Sequence, residues 1–545
     1  DTKIQNDWYV KLNGKIDLVD RSQFVQTATS VLDPTSSGSL ERDQQGQSNK
    51  FNYNYWSSPV SSINNSTINH GYTVAGVMKD GTNPDDIKNI LWTTSTNSVV
   101  STPIKLSSSW IYKYQNLNNN YYNWMAVGQN GTLLAGQGYT LKGSSAATPD
   151  QNYTFVGKPN NGTITATVGA NNLLLTGNPY PSAIDADEFI RDNLASTTGV
   201  LQFWEHYSTN NSHVTAEYQG GYATRTLVGG TIPVAPEIVS GLGSSTRVPG
   251  RFIPVGQGFF IEGSSSGGTL IFENDQRIFV KENNVDSNIM FRTNATTAEN
   301  TVPITNQEDT FDNEEQFMKL KLGHFAGANR YHRQILIGFM NEHADNTINP
   351  GYDAISTDNL SNDMYFINGT AKLNIQGEGF FNENNIYPLG VKNAVAGNVD
   401  FAIDSKENFP ENQAIYIHDN VTNTYHDINQ EKATINLPAG TFLDRFSLRF
   451  KNTEALNVDE NNIESGILIL HNHDSNILTI KNQLLETTAK SVALFNLLGQ
   501  QITTWNVENR DQTNIELPIS EVSTGTYIVK VLTDNGNLSK KILIK

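Results

Sequence analysis

Gly525-Thr-Tyr-Ile-Val-Lys-Val-Leu532 runs through Asp534-Asn-Gly-Asn537 into Leu538-Ser-Lys-Lys-Ile-Leu-Ile-Lys545, the closing stretch of a 545-residue chain. Two β-branched runs around Asn535-Gly536 predict a tight hairpin, because a primed two-residue turn needs positive φ at both central positions. Domains commonly fray at their ends. Here the final run is as apolar as any before it, so the end of the chain is expected inside a sheet. Working outward, Thr513–Leu517, Gln500–Val507, Ser491-Val-Ala-Leu-Phe495 and Asn476–Asn482 read as further strands, with a turn at Asn496-Leu-Leu-Gly499. The expectation is a small all-β module from about residue 465 to 545.

Three blocks of that module carry a resemblance: "SVALFNLLGQQI" (491–502), "EVSTGTYIVKV" (521–531) and "KKILIK" (540–545). Their order and spacing resemble the type A C-terminal sorting domain of bacterial type IX secretion cargo. The Asn-Pro pair that often opens such a domain is replaced by "ILILHNHDSN" (467–476). The resemblance implies an Ig-like sandwich read by an outer-membrane shuttle and translocon. It also implies export through the periplasm and outer membrane, to the cell surface or the medium. Gly499, Gly525, Tyr527, Lys540, Lys541 and Lys545 are the residues expected to carry recognition. Gly525 would allow the turn into its strand, Tyr527 would anchor a face, and the lysines would give the apolar last strand a polar side. A strand at a sheet edge is itself a template for pairing with another chain. An ordinary Ig-like module closing a surface protein is the alternative.

Composition bounds the rest. The net charge is −18, and Ile463–Lys545 carries six lysines and Arg510 against eight carboxylates, so the excess acid lies upstream. An acidic body argues against nucleic acid and anionic membranes as partners. The chain has no cysteine, which excludes disulfides, cysteine catalysis and zinc ribbons. No long apolar run suggests a membrane span. "KIDLVDRSQFVQ" (15–26) alternates like a strand already under way, so the chain reads as the C-terminal part of a longer protein.

The first 295 residues hold a duplication. "AGQGYTLKGSS" (135–145) recurs as "VGQGFFIEGSS" (255–265), an offset of 120. Each copy is preceded by a proline turn, "YNYWSSPV" (53–60) and "LTGNPYPSAI" (175–184), and followed by a strand, "YTFVGKPNNG" (153–162) and "TLIFENDQR" (269–277). Glycines ahead of an apolar strand permit a bulge or close backbone approach. Two related β-modules follow, over about 15–168 and 170–290, with one short helix at 183–193 capped by Ser182. A second β-sandwich is expected over 312–451, between polar linkers at 294–315 and 452–464. The fold class expected is therefore all-β: tandem β-sandwich modules of jelly-roll or Ig-like type, ending in the small sandwich. "YNYWSSP", "GNPYPSAIDADEFI", "GQGFF", "QILIGF", "GYDA" and "DRFSLRF", in that order, resemble the C-terminal region of very large flavobacterial surface and secreted proteins. That resemblance implies an adhesin-like surface role and no attached catalytic activity.

Catalytic motifs are sparse. Gly263-Ser-Ser-Ser-Gly267 matches a nucleophile elbow only in letters, since it joins two strands without a helix. Ten histidines form no His-Glu-x-x-His, and His471-Asn-His473 places two rings on one strand face without a third ligand nearby. Calcium is the one cofactor that the spacing allows. Asp353, Asp358 and Asp363 cluster in "GYDAISTDNLSND" (351–363), and Asp80, Asp85 and Asp86 in "KDGTNPDDI" (79–87). Flexible oxygen-rich loops suit that ion, although a solvated Asx turn has the same composition. Trp56, Trp110, Trp124 and Trp204 could stack on sugar rings of a surface polysaccharide, or fill the β cores. The expectation is a non-enzymatic, exported, adhesin-like protein. A secreted carbohydrate-binding module is the alternative, followed by a glycan-active enzyme.

Overall fold

The computed structural model divides the chain into two compact units, Asp1–Phe450 and Lys451–Lys545. It describes all residues except 1, 115–122, 207–209, 236–244, 246, 283–315, 328–330, 357, 359, 453–465, 474, 484–486, 509–511, 521, 535 and 545. The expected linker at 294–315, that at 452–464 from 453 on, Asn535 and Lys545 therefore lie outside the described residues. Strands dominate both units, and the longest described helix is Ala186–Asn193.

In the first unit the duplicated segments exchange contacts with one another. Tyr139–Lys142 pairs antiparallel with Tyr53–Trp56, and Gly258–Gly263 pairs antiparallel with Leu173–Gly177. Two single bridges cross between copies: Gln137 to Thr176 and Trp56 to Gln257. Each Gly-Gln-Gly thus lies against the proline-turn strand of the other copy. A Cβ on Gly138 would stand 2.6 Å from the Thr176 carbonyl oxygen, and one on Gly258 2.8 Å from the Trp56 nitrogen. Close backbone approach is the reason for glycine at both places, and it leaves no room there for a ligand.

The helix begins three residues later than expected. Ala183 and Ile184 spend their backbone hydrogen bonds in a sheet with Ile278, Arg277 and Ile253. Asp185 is the cap instead, its carboxylate accepting from the Asp187 nitrogen at 2.9 Å. Ser182 accepts from Arg277 Nε at 3.1 Å. Asp187 and Glu188 still occupy the first turn, where the helix dipole favours negative charge.

Residues from Met318 to Arg449 form an 11-stranded sheet among the described residues, with a core that includes Leu320, Ile335, Phe366, Leu389, Phe401 and Phe446. A smaller apolar cluster of Val228, Leu336, Met340, Ala344, Ala354 and Ile375 joins this sheet to the second repeat. The Leu227 nitrogen donates to the Gly351 oxygen, and the Gly351 nitrogen to the Thr198 oxygen, both at 2.8 Å. The described residues of 1–282 and of 316–450 therefore share one compact unit.

The second unit is a sandwich. One sheet runs Ile467–Asn472, Ile477–Asn482 and Asn514–Pro518 in spatial order. The other runs Gln501–Asn506, Ala489–Asn496, Gly525–Thr533 and Gly536–Ile544. The closing hairpin registers from Thr533↔Gly536 to Gly525↔Ile544. Ile469, Leu478, Ile480, Val492, Leu494, Leu517, Val529 and Val531 are fully buried between the sheets. At roughly 1.5–3 kcal/mol for each buried aliphatic side chain, this core accounts for a cysteine-free module of this size.

Candidate functional site

The terminal strand Gly536–Ile544 occupies the outer end of its sheet and pairs with Gly525–Thr533. Leu538, Ile542 and Ile544 point inward and are buried. Lys540 falls on the same inward parity, across from buried Val529, yet is exposed. A charged residue of inward parity on an edge strand discourages such strands from pairing with one another. Lys541 points outward across from Ile528. Tyr527 is buried, and its hydroxyl donates to the Ser523 oxygen at 2.8 Å, tethering the loop before Gly525. Gly525 is not in the left-handed region, and a Cβ there would make ordinary contacts, 3.6 Å from the Tyr527 ring and 4.0 Å from the Ser523 oxygen. Its turn does not demand glycine. Gly499 does, with φ of +80°. Lys545 lies outside the described residues.

The carboxylates expected for calcium have partners within the protein. Asp353 accepts from the Asn349 nitrogen at 2.6 Å and the Gly377 nitrogen at 2.7 Å. Burial raises its carboxyl to about 6. Asp363 lies 3.1 Å from Arg333 Nε, and Asp358 approaches Arg333 Nη1 at 3.9 Å. The guanidinium already occupies the place of a cation. In the other loop Asp80 accepts from the Thr82 and Ile104 nitrogens, each at 2.9 Å, and Asp86 pairs with Lys88 at 2.5 Å. Among the described residues no three His, Asp or Glu side chains converge as metal ligands. His471 and His473 do share a face, with ring centroids 4.9 Å apart.

The four tryptophans face inward. Trp56 and Trp204 are buried, and a buried ring offers no face to a sugar. Trp124 is half-buried and meets Tyr55, Tyr114 and Phe260 edge-on. Trp110 is also half-buried; it stacks on His213 with centroids 4.7 Å apart, and its indole donates to the Thr96 oxygen at 2.7 Å.

Between the two copies these aromatics enclose a lysine that sequence reasoning missed. Lys142 Nζ lies 3.9 Å from the Trp110 centroid, 4.3 Å from Tyr53 and 5.2 Å from Tyr218. It donates to the Tyr218 hydroxyl and lies 2.9 Å from His213 Nδ1. Burial pulls the amine down to about 7. Burial and then the Lys142 charge pull His206 down to about 3 and His213 to about 4. His206 Nε2 accepts from the Tyr53 nitrogen at 3.0 Å, which requires that nitrogen to be unprotonated. No local signal marks Lys142, since the full burial of the strand Tyr139–Lys142 that carries it is set only by folding.

This seam has a pH consequence. Folded His206 stays neutral well below the ordinary histidine range, whereas the unfolded chain takes up a proton near 6.5. Its contribution to stability is therefore lost as pH falls from 6.5 toward 3, by about 1.4 kcal/mol per pH unit. Glu205 and Glu378, each raised by burial to about 7, act in the opposite direction. The readout is accordingly a difference. In urea melts, His206→Gln is expected to lose its disadvantage against wild type as pH is lowered from 7 to 4. A gap that stays constant would place a charged histidine in the folded seam.

Comparison with known proteins matches residues 76–450 to a family described as "Domain of unknown function (DUF8693)". Residues 471–545 match "Secretion system C-terminal sorting domain". No curated protein matches the chain. A solved structure titled "Biofilm associated protein - BSP domain" aligns at 9% identity over 79% of this chain and 85% of that one. Its TM-score of 0.12 is too low to establish a shared fold. The sorting domain makes the chain cargo of type IX secretion, delivered to the cell surface or the extracellular space. No described helix is long and apolar enough to cross a membrane. The chain belongs to the DUF8693 family, which accounts for most of its first unit, and bears the export domain behind it.

Proposed function

We propose that the first unit works outside the cell as an adhesin-like structural module without enzymatic activity, carried there by shuttle and translocon proteins that read the second unit. The observation that supports this reading is where the ionisable groups go. Arg42 pairs with Glu282, Arg251 with Asp185, Arg225 with Asp187, Arg445 with Asp419 and Lys432 with Asp400. Arg445 and Asp419 tie two strands together, Arg225 ties a strand to the helix through Asp187, and the other three pairs each tie a strand to a loop. A braced β-unit without disulfides suits a load-bearing or spacing role at a flavobacterial surface.

A second reading, carbohydrate binding, is favoured by one place on the first unit. Trp8 is 77% exposed and Tyr9 51% exposed, side by side near the polar groups of Asp33 and Lys11. Exposed rings beside hydrogen-bonding groups suit a sugar.

One experiment addresses both. Purified full-length chain is incubated with a panel of insoluble polysaccharides and with casein, and bound protein and released fragments are measured. No release of sugar or peptide is expected, and release of either would overturn the structural reading. Retention on one polysaccharide that Trp8→Ala abolishes would make carbohydrate binding the function.

A further inference from the structure

The hairpin tip Asn496–Gln500 of the second unit displays two leucines to solvent. Leu498 is 86% exposed and Leu497 59%. Turns are ordinarily built from polar residues and glycine, so two leucines at a tip are costly unless something covers them. The tip is also held in one shape. The Asn496 side-chain oxygen accepts from the Leu498 nitrogen at 3.0 Å and the Gln500 nitrogen at 2.9 Å. Its amide donates to Gln500 Oε1 at 2.8 Å, and the Gly499 nitrogen donates to the Asn496 oxygen at 3.1 Å. The ordering that a partner would otherwise impose is already present.

The tip continues into an apolar row on the outer face of the four-stranded sheet. Phe495 lies across from Ile528, and Ile528 across from Lys541, with Leu543 two positions along on the same face. Lys530 points outward on the same face, across from Ala493. The surface is thus an apolar strip ending in a rigid knob and flanked by two lysines.

We propose that this strip is where the export apparatus grips the chain, Leu497 and Leu498 entering an apolar pocket of a protein partner whose rim is acidic. This rests on the export reading of the same unit. The fixed knob favours a protein pocket over a lipid surface, because preorganised apolar anchors are how protein interfaces concentrate their binding energy. The lysines fix the charge of the rim.

The test uses the full chain in the bacterium that makes it, with the protein quantified in periplasm and medium. Leu497→Ser/Leu498→Ser is expected to lower the secreted amount at least tenfold while the purified variant melts like wild type. Leu498→Asn alone, at a position with almost no packing to lose, should give a smaller loss in the same direction. Leu497→Met/Leu498→Met should restore export. A deletion of Lys540–Lys545 separates the two claims. If that deletion stays in the periplasm and the serine variant is secreted normally, the tip proposal fails and the export reading stands. If both are secreted normally, the export reading fails and the proposal goes with it. Vesicles containing phosphatidylglycerol should not bind the purified chain. Binding that the serine variant abolishes would make a lipid surface the occupant and overturn the protein partner.

Discussion

Glu282→Ala is expected to destabilise the first unit by about 3–5 kcal/mol, because it leaves a guanidinium buried without its counter-charge. Arg42 Nη2 lies 2.5 Å from Glu282 Oε1, and both side chains are wholly buried. Arg42 stands in the first repeat on Ser39–Gln47, and Glu282 closes the second, so the pair locks the copies in register. Gln44 joins it, donating to Glu282 Oε1 at 3.3 Å and to the Val255 oxygen at 2.8 Å. Burial already pushes the Arg42 guanidinium below its ordinary range, the sign of a charge held at a cost. That cost decides the companion measurement. Arg42→Met/Glu282→Leu removes both charges together and should recover most of the loss, since an apolar pair of similar volume avoids the desolvation penalty. Denaturant melts of wild type, Arg42→Met, Glu282→Leu and the double variant complete the cycle. A single variant as stable as wild type would mean that water reaches Arg42 once the carboxylate is gone.

The same seam explains which parts of the structure could be read from sequence. The terminal hairpin was legible because its determinants are local, a period-two apolar alternation and a cluster of turn residues, although Gly536 opens the last strand opposite Thr533 and is not a central turn residue. The duplication was legible as repeated letters. Its consequence, that each Gly-Gln-Gly lies against the other copy, depends on the long-range bridges Gln137 to Thr176 and Trp56 to Gln257 and leaves no local signal. The helix start failed for a related reason. Ser182 and Ala183 look like a cap and first turn, but Ala183 and Ile184 are claimed by distant strands. Tertiary pairing outweighs a local propensity of a few tenths of a kcal/mol per residue.

Site residues follow the same division. Asp353, Asp358 and Asp363 sit at spacings that suit calcium, yet Arg333 arrives from another strand and takes two of the three. Lys142, Tyr53, Trp110, His213 and Tyr218 meet only after folding, so the aromatic enclosure could not be assembled from spacing. Leu497 and Leu498 were visible as a turn, but their exposure and the Asn496 clamp that fixes them were not. Tryptophans were read as ambiguous between ligand platform and core, and burial settles Trp56 and Trp204 as core.

Trp56→Ala accordingly tests the inward reading of the aromatics, and a loss of about 3–5 kcal/mol is expected in the first unit. The indole is fully buried, edge-on to Tyr153 with centroids 5.5 Å apart and tilted against Phe155 at 5.7 Å. A Cβ on Gly46 would stand 2.7 Å from its ring, so the surroundings are shaped to this one side chain. Its backbone bridges Gln257 of the other copy, which limits how far the strand can move to close the cavity. A cavity that cannot collapse adds its own cost to the lost burial. Trp8→Ala is the matched control, since that ring is mostly in solvent and its removal should change stability by no more than about 0.5 kcal/mol. The contrast between the two carries the inference. Equal small losses would mean that the seam repacks around a missing indole, and the copies would then be held chiefly by their polar pairs. A large loss at Trp56 alone would make the aromatic seam and the Arg42–Glu282 pair joint conditions for a rigid unit, and that rigidity is what a surface spacer needs.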